Sequence, residues 1–84
     1  MNDSGFGHIE ISLNQVMEKK GLSKSKVAFR AEIQRTQLNN YCNGKIQRLD
    51  MAVLSRLCFA LDCSLNDIIQ YVPPKDLKNR LFSL

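Results

Sequence analysis

Tryptophan is missing from this 84-residue chain, and aromatic residues make up only 7% of it. Single-stranded nucleic acids are usually held by stacking bases on aromatic rings, so the shortage argues against an RNA-binding helper. Histidine occurs once, at His8, and no Ser-His-Asp, metal-ligand or phosphate-loop arrangement accompanies it. The chain is therefore expected to be no enzyme and to use no cofactor. The three cysteines, Cys42, Cys58 and Cys63, form no C-x-x-C pair and lie far from His8, which gives a zinc site little support. They read as small, partly buried apolar residues, and an odd number makes no disulfide framework in a reducing compartment. No apolar run approaches the ~20 residues of a membrane span. The opening MNDSGFGHIE lacks the basic and apolar regions of a signal peptide. A cytoplasmic protein with no membrane partner is expected.

What is present suits one globular domain, with 44% hydrophobic and 24% charged residues. A chain this short buries about 60 to 65% of its unfolded surface, enough for one modest core. Net charge is +4, and its distribution says more than its size. From Lys19 to Arg48 there are eight basic residues (Lys19, Lys20, Lys24, Lys26, Arg30, Arg35, Lys45 and Arg48) against one acid, Glu32. The first 18 residues hold Asp3, Glu10 and Glu18 and no Lys or Arg. Leu49 to Val72 sets only Arg56 against Asp50, Asp62 and Asp67. Positive charge concentrated in the middle third is what a polyanion-binding face requires. Inside it lies EIQRTQLNNYCNGK, Glu32 to Lys45, in which residues 34–43 carry seven Gln, Asn, Thr or Arg side chains. Amides are costly to bury. They are also the side chains that can read base edges.

Residues 1–10 read as a flexible lead, with His8 to Ile11 alternating polar and apolar in the manner of a short extended arm. Leu13, Val16, Met17 and Lys20 recur at helical spacing after a capping Ser12 and before a terminal Gly21, which predicts a helix over about 12–20. Ser23 caps a second, two-turn helix over about 24–30 with Val27 and Ala28 inward. Ala28 is expected to be small because two helices cross there. A third helix runs over about 34–43 with Leu38 and Tyr41 inward, and Asn43-Gly44 stops it. Asp50 caps a fourth over about 51–61, whose Val53, Leu54, Leu57, Cys58 and Leu61 form a broad apolar stripe. Ser64 with Asp67 resembles a capping box for a fifth helix, whose core side is Leu65, Ile68 and Ile69 and which Pro73-Pro74 ends. In residues 73–84, Leu77 and Leu81 sit four apart near Phe82 and Leu84, which allows a short amphipathic tail helix. The fold expected is all-α, a compact five-helix domain over residues 11–72. A two-turn helix, a tight turn and a polar helix are the parts of a helix-turn-helix, whose second element lies in the major groove of duplex DNA.

At this level of detail the chain resembles the Cro/repressor-type helix-turn-helix family, also called XRE or lambda-repressor-like. The residues that carry the resemblance are Ser23-Lys24, Val27-Ala28, Glu32-Ile33, Gln34, Leu38, Tyr41 and Asn43-Gly44-Lys45. They continue as Arg48-Leu49-Asp50 to Leu54, Leu57-Cys58, Ala60-Leu61-Asp62-Cys63 and Asp67-Ile68-Ile69. Three positions depart from the family pattern. Glu32 stands where the turn usually has Gly, and a positive φ there would strain Glu by about 1 kcal/mol; either the turn is adjusted or the helix before it continues a residue further. Cys42 replaces the usual Glu before Asn-Gly, and Lys24 replaces a common Gln.

The resemblance implies sequence-specific binding of double-stranded DNA by a small transcriptional regulator, as a homodimer on pseudo-palindromic half-sites. It places Arg35, Thr36, Asn39 and Asn40 against bases. Arg can pair bidentately with guanine, Asn with adenine, and Thr can offer its methyl to thymine. It assigns Lys24, Gln34, Gln37, Asn43, Lys45 and Arg48 to the DNA backbone, where contacts position the protein without reading sequence. A competing expectation is a protein-interaction module on the same fold, an antitoxin or adaptor, binding its protein partner through Leu77, Leu81, Phe82 and Leu84 of the tail.

Overall fold

The computed structural model describes residues 5–74, in the order β1 (His8–Ile11), α1 (Leu13–Lys20), α2 (Lys24–Ala31), α3 (Arg35–Cys42), α4 (Met51–Leu61), α5 (Leu65–Ile68) and β2 (Ile69–Val72). Five helices surround one core, and a two-stranded sheet joins the ends of the described chain. The core consists of Leu13 and Met17 from α1, Val27, Ala28 and Ala31 from α2, Leu38, Tyr41 and Cys42 from α3, Val53, Leu57, Ala60 and Leu61 from α4, and Ile68. Its members recur at three- and four-residue steps, the periodicity of one helix face. Of the residues expected inside, Leu54, Cys58 and Ile69 are only half-buried against this cluster, and Leu65, expected on the core side of the fifth helix, is exposed.

The helix starts follow local chemistry. Ser23 Oγ accepts the Lys26 N–H at 3.2 Å, and Asp50 Oδ1 accepts those of Ala52 and Val53 at 2.9 and 3.3 Å. Each satisfies donors that a helix leaves unpaired at its first turn. Asp67 reaches back to the Ser64 N–H at 3.0 Å. Ser12 precedes α1 but makes no cap bond with its side chain; its hydroxyl donates to Gln70 Oε1 in β2 instead.

The ends of α1 to α4 share one device. Gly21, Glu32, Gly44 and Asp62 all have positive φ. In each case the residue's N–H bonds a carbonyl three back, and the next N–H bonds one five back. The second set is Leu22 to Met17, Ile33 to Ala28, Lys45 to Asn40 and Cys63 to Cys58, at 2.9 to 3.1 Å. This is the Schellman ending, in which the residue after the left-handed one commonly packs back on the helix. Leu22, Ile33 and Cys63 do so, half-buried against the core. The left-handed turn is thus kept at position 32 with Glu in the place of Gly, at φ 55 and ψ 47; neither an altered turn nor a longer α2 relieves it.

The fifth helix corrects the sequence expectation. It ends at Ile68 rather than running to Pro73, and Ile69 to Val72 become β2. The run Ile-Gln-Tyr-Val is rich in β-branched and aromatic residues, and its antiparallel partner is β1, with Ile9 opposite Tyr71 and Ile11 opposite Ile69. Residues 8–10 of the expected lead are thereby held in a ladder. Gly7 enters it at φ 78, where a Cβ would stand 2.3 Å from the Val72 carbonyl oxygen, so glycine is required for the close approach. The tail residues Leu77, Leu81, Phe82 and Leu84 lie outside the described residues.

Candidate nucleic-acid interface

The helix pair α2–α3 builds the site. Val27, Ala28 and Ala31 seat α2 on α4, and the turn at Glu32–Gln34 redirects the chain so that α3 leaves at an angle. Gln34 is extended, at φ −73 and ψ 149, and precedes the helix instead of starting it. Asn43 follows the last helical residue, so the observed α3 is Arg35–Cys42 with 34 and 43 as its caps. Leu38, Tyr41 and Cys42 bury its inner face. Tyr41 also carries a tether: its hydroxyl accepts the Asp50 N–H at 3.2 Å, which links the end of α3 to the cap of α4. Asn14 of α1 adds a bond to the Cys42 carbonyl at 3.4 Å. The position of α3 is therefore fixed from two sides.

At about 100° per residue, the ridge opposite that inner face is Thr36, Asn40 and Asn43, all exposed. Two of the expected base readers and one expected backbone contact thus share a single outward line. Arg35 lies on one shoulder of it, where its Nη1 donates to Ser25 Oγ of α2 at 2.9 Å. Asn39 lies on the same shoulder but is half-buried, and its Oδ1 is enclosed without a hydrogen-bond partner among the described residues. It is therefore not equivalent to Asn40. Gln37 occupies the opposite shoulder, half-buried. Gln34 is exposed and makes no cap bond with its side chain.

Cations flank α3 in the chain. Lys24, half-buried at the start of α2, is close enough to oppose the burial that pushes the Cys42 thiol pKa up. Lys45 and Arg48 are exposed just past α3. Lys45 occupies the position that Leu22, Ile33 and Cys63 fill at the other three Schellman endings, so at this ending alone that position carries an exposed charge. No acidic residue lies in the first turn of α2 or α3, while Lys24, Lys26 and Arg35 do. Cations there oppose the helix dipole at about 0.3 to 1 kcal/mol each. Among the described residues the recorded ion pair is His8–Glu10, and no Lys or Arg is paired with a carboxylate.

Two contributors carry no signal in the sequence. Ser25 reads in the sequence as one more polar residue of α2, because nothing in a ten-residue separation announces a contact across the turn. Tyr41 is inward, as its spacing from Leu38 predicts, but its hydroxyl bond to the backbone of Asp50 depends on where α4 begins.

A short helix packed on the core, a tight turn and an outward polar helix define a helix-turn-helix domain. The chain matches the family model of the Cro/C1-type HTH DNA-binding domain over residues 12–74 and belongs to that family. A curated relative, the uncharacterized HTH-type transcriptional regulator YozG of Bacillus subtilis (strain 168), is 28% identical over 68 residues, or 81% of each chain. Among solved structures, the restriction-modification controller protein C.AhdI from Aeromonas hydrophila superposes with TM-score 0.59 at 24% identity, over 66% of this chain and 82% of that one. The master regulator for biofilm formation SinR, solved in complex with DNA, gives TM-score 0.59 at 22% identity, over 64% and 86%. A transcriptional regulator from Listeria innocua gives 0.57 at 21%, over 88% and 76%. The three confirm the five-helix fold. No helix among the described residues is long and apolar enough to cross a membrane.

Proposed function

We propose that the protein is a sequence-specific regulator of transcription in the cytoplasm, which inserts α3 into the major groove of double-stranded DNA. The observation that carries this reading is the outward line of Thr36, Asn40 and Asn43, free of acids and flanked in the chain by Lys24, Arg35, Lys45 and Arg48, none of them paired with a carboxylate among the described residues. Arg35, Thr36 and Asn40 read base edges, with Asn39 at the margin because its amide oxygen faces inward. Lys24, Gln34, Gln37, Asn43, Lys45 and Arg48 hold phosphates and sugars. The protein acts as a homodimer on half-sites about one helical turn, ~34 Å, apart. Regulation by occupancy follows: a bound dimer blocks or recruits polymerase.

Enrichment of a random duplex library by the purified protein at moderate salt tests this reading. A recovered two-fold symmetric motif supports it. Affinity with no motif, collapsing as salt rises, would leave only a polyanion surface and refute base reading by α3.

A second reading has its own observation. The outer face of α4 exposes Met51 at 81% and Phe59 at 77%, with α2 exposing Phe29 at 82%. Apolar side chains so exposed suit a protein partner, as in an antitoxin or adaptor. Absence of a motif together with a stable protein complex would favour it.

A further inference from the structure

We infer that Ser25 is a positioning residue for Arg35 and thereby sets the protein's preference at one base pair. The inference rests on the groove-binding reading above. Arg35 is the first residue of α3 and Ser25 the second of α2, and the 2.9 Å bond between Nη1 and Oγ spans the turn that joins the two helices. Both side chains are exposed, so the bond lies on the outer surface and adds nothing to the core.

Arginine has more rotamer freedom than most side chains, and holding it in one place before binding removes that ordering cost from the encounter. A guanidinium has five N–H donors. Ser25 takes one on Nη1, which leaves donors for the O6 and N7 of a guanine. No carboxylate competes for the cation among the described residues. A hydroxyl is suited to this task, since it accepts the donor without neutralising the charge that attracts DNA. An Asp at position 25 would hold the arginine more tightly and cancel its field. The helix pair thus supplies a clamp in which α2 orients a side chain of α3 while both stay on a rigid scaffold.

The test uses the full chain and the duplex motif recovered by enrichment, together with duplexes altered at each base pair in turn. Parent, Ser25→Ala, Ser25→Thr, Arg35→Ala and the double variant are compared for affinity and salt dependence, with thermal melts for each. Arg35→Ala should abolish preference at one base pair of each half-site. Ser25→Ala should reduce preference at that same base pair by about three- to tenfold, the worth of one hydrogen bond. Its preference elsewhere, its salt slope and its melting should match the parent. Ser25→Thr should restore preference, and the double variant should equal Arg35→Ala. Unchanged preference in Ser25→Ala, or an equal loss at every base pair, would overturn the positioning role while leaving groove binding intact. A drop in salt slope with Arg35→Ala and no loss of base preference would show a phosphate contact, and would overturn it too. Failure of the parent to select any motif would overturn the groove reading and this inference with it.

Discussion

Glu32→Gly should stabilise the protein, although it removes a side chain and adds chain entropy. Glu32 is held at φ 55 by the Schellman ending of α2, in which its own N–H bonds the Phe29 carbonyl at 3.2 Å and the Ile33 N–H bonds the Ala28 carbonyl at 3.1 Å. A left-handed conformation costs an L-residue about 1 to 2 kcal/mol. Glycine avoids that cost but loses more freedom on folding, by about 0.4 to 1 kcal/mol. The net gain is about 0.5 to 1 kcal/mol, or roughly 2 to 8 °C in Tm for a domain of this size. Side-chain losses are small, since Glu32 is exposed and the bond it accepts from Arg56 is to its backbone carbonyl. Urea titration and thermal melts of Glu32→Gly and Glu32→Ala separate backbone from charge. Alanine keeps the Cβ and the strain, so it should gain nothing comparable. Gly21 offers the converse: it has φ +67 and open space around a built Cβ, so Gly21→Ala should lose about as much as Glu32→Gly gains. Equal gains from Gly and Ala at position 32 would refute the conformational argument, because removal of the carboxylate would then explain them.

Three further outcomes are expected. Arg35→Ala and Asn40→Ala should each relax preference at one base pair, whereas Lys45→Ala should weaken all duplexes alike and lower the salt slope by about 1, as read from binding isotherms at several salt concentrations. Tyr41→Phe removes the acceptor of the part-buried Asp50 N–H and should cost about 1 kcal/mol in urea unfolding with an unchanged m-value. Asn39→Ala should stabilise the free domain by about 0.5 kcal/mol or more in the same assay, because it removes a poor helix former and an enclosed, unpartnered oxygen.

The parts of the fold legible in the sequence were those written by neighbouring residues. Ser23 and Asp50 cap the helices they precede, Gly21 and Gly44 end theirs, and the three- and four-residue steps of Leu13, Met17, Val27, Leu38, Leu57 and Leu61 mark the core. The misread parts depend on residues distant in the chain. Ile69 to Val72 continue an apolar pattern that suits a helix, and only pairing with His8 to Ile11, some sixty positions earlier, makes them a strand. Ser12 looks like a cap and bonds Gln70 for the same reason. Asn39 and Asn40 are identical letters one position apart. They lie about 100° apart around α3, and the packing of the folded chain leaves one half-buried and the other facing solvent.

The departures from local preference in this chain are not scattered. Lys24, Lys26 and Arg35 stand at helix starts where acids would suit the dipole, and Asn39-Asn40 lie mid-helix where better helix formers would serve. Lys45 takes the place of an apolar Schellman contact. All six belong to α2, α3 or the turn that ends α3, while α1 ends on Lys19 and Lys20 as its dipole favours. Glu32 is the instructive exception: its strain also falls in this segment, yet its side chain makes no hydrogen bond among the described residues. The same left-handed turn is met by Asp62 in α4, far along the chain from the polar ridge. Strain at position 32 therefore follows from the fold's demand for a turn, which an αL residue of any kind can meet. The cations and amides are different in kind, because folding alone is better served without them. Consistency between local preference and structure is the ordinary state of a folded sequence, and its loss concentrates where a sequence answers to a partner. That reasoning points to α3 and its borders as the binding surface independently of family membership.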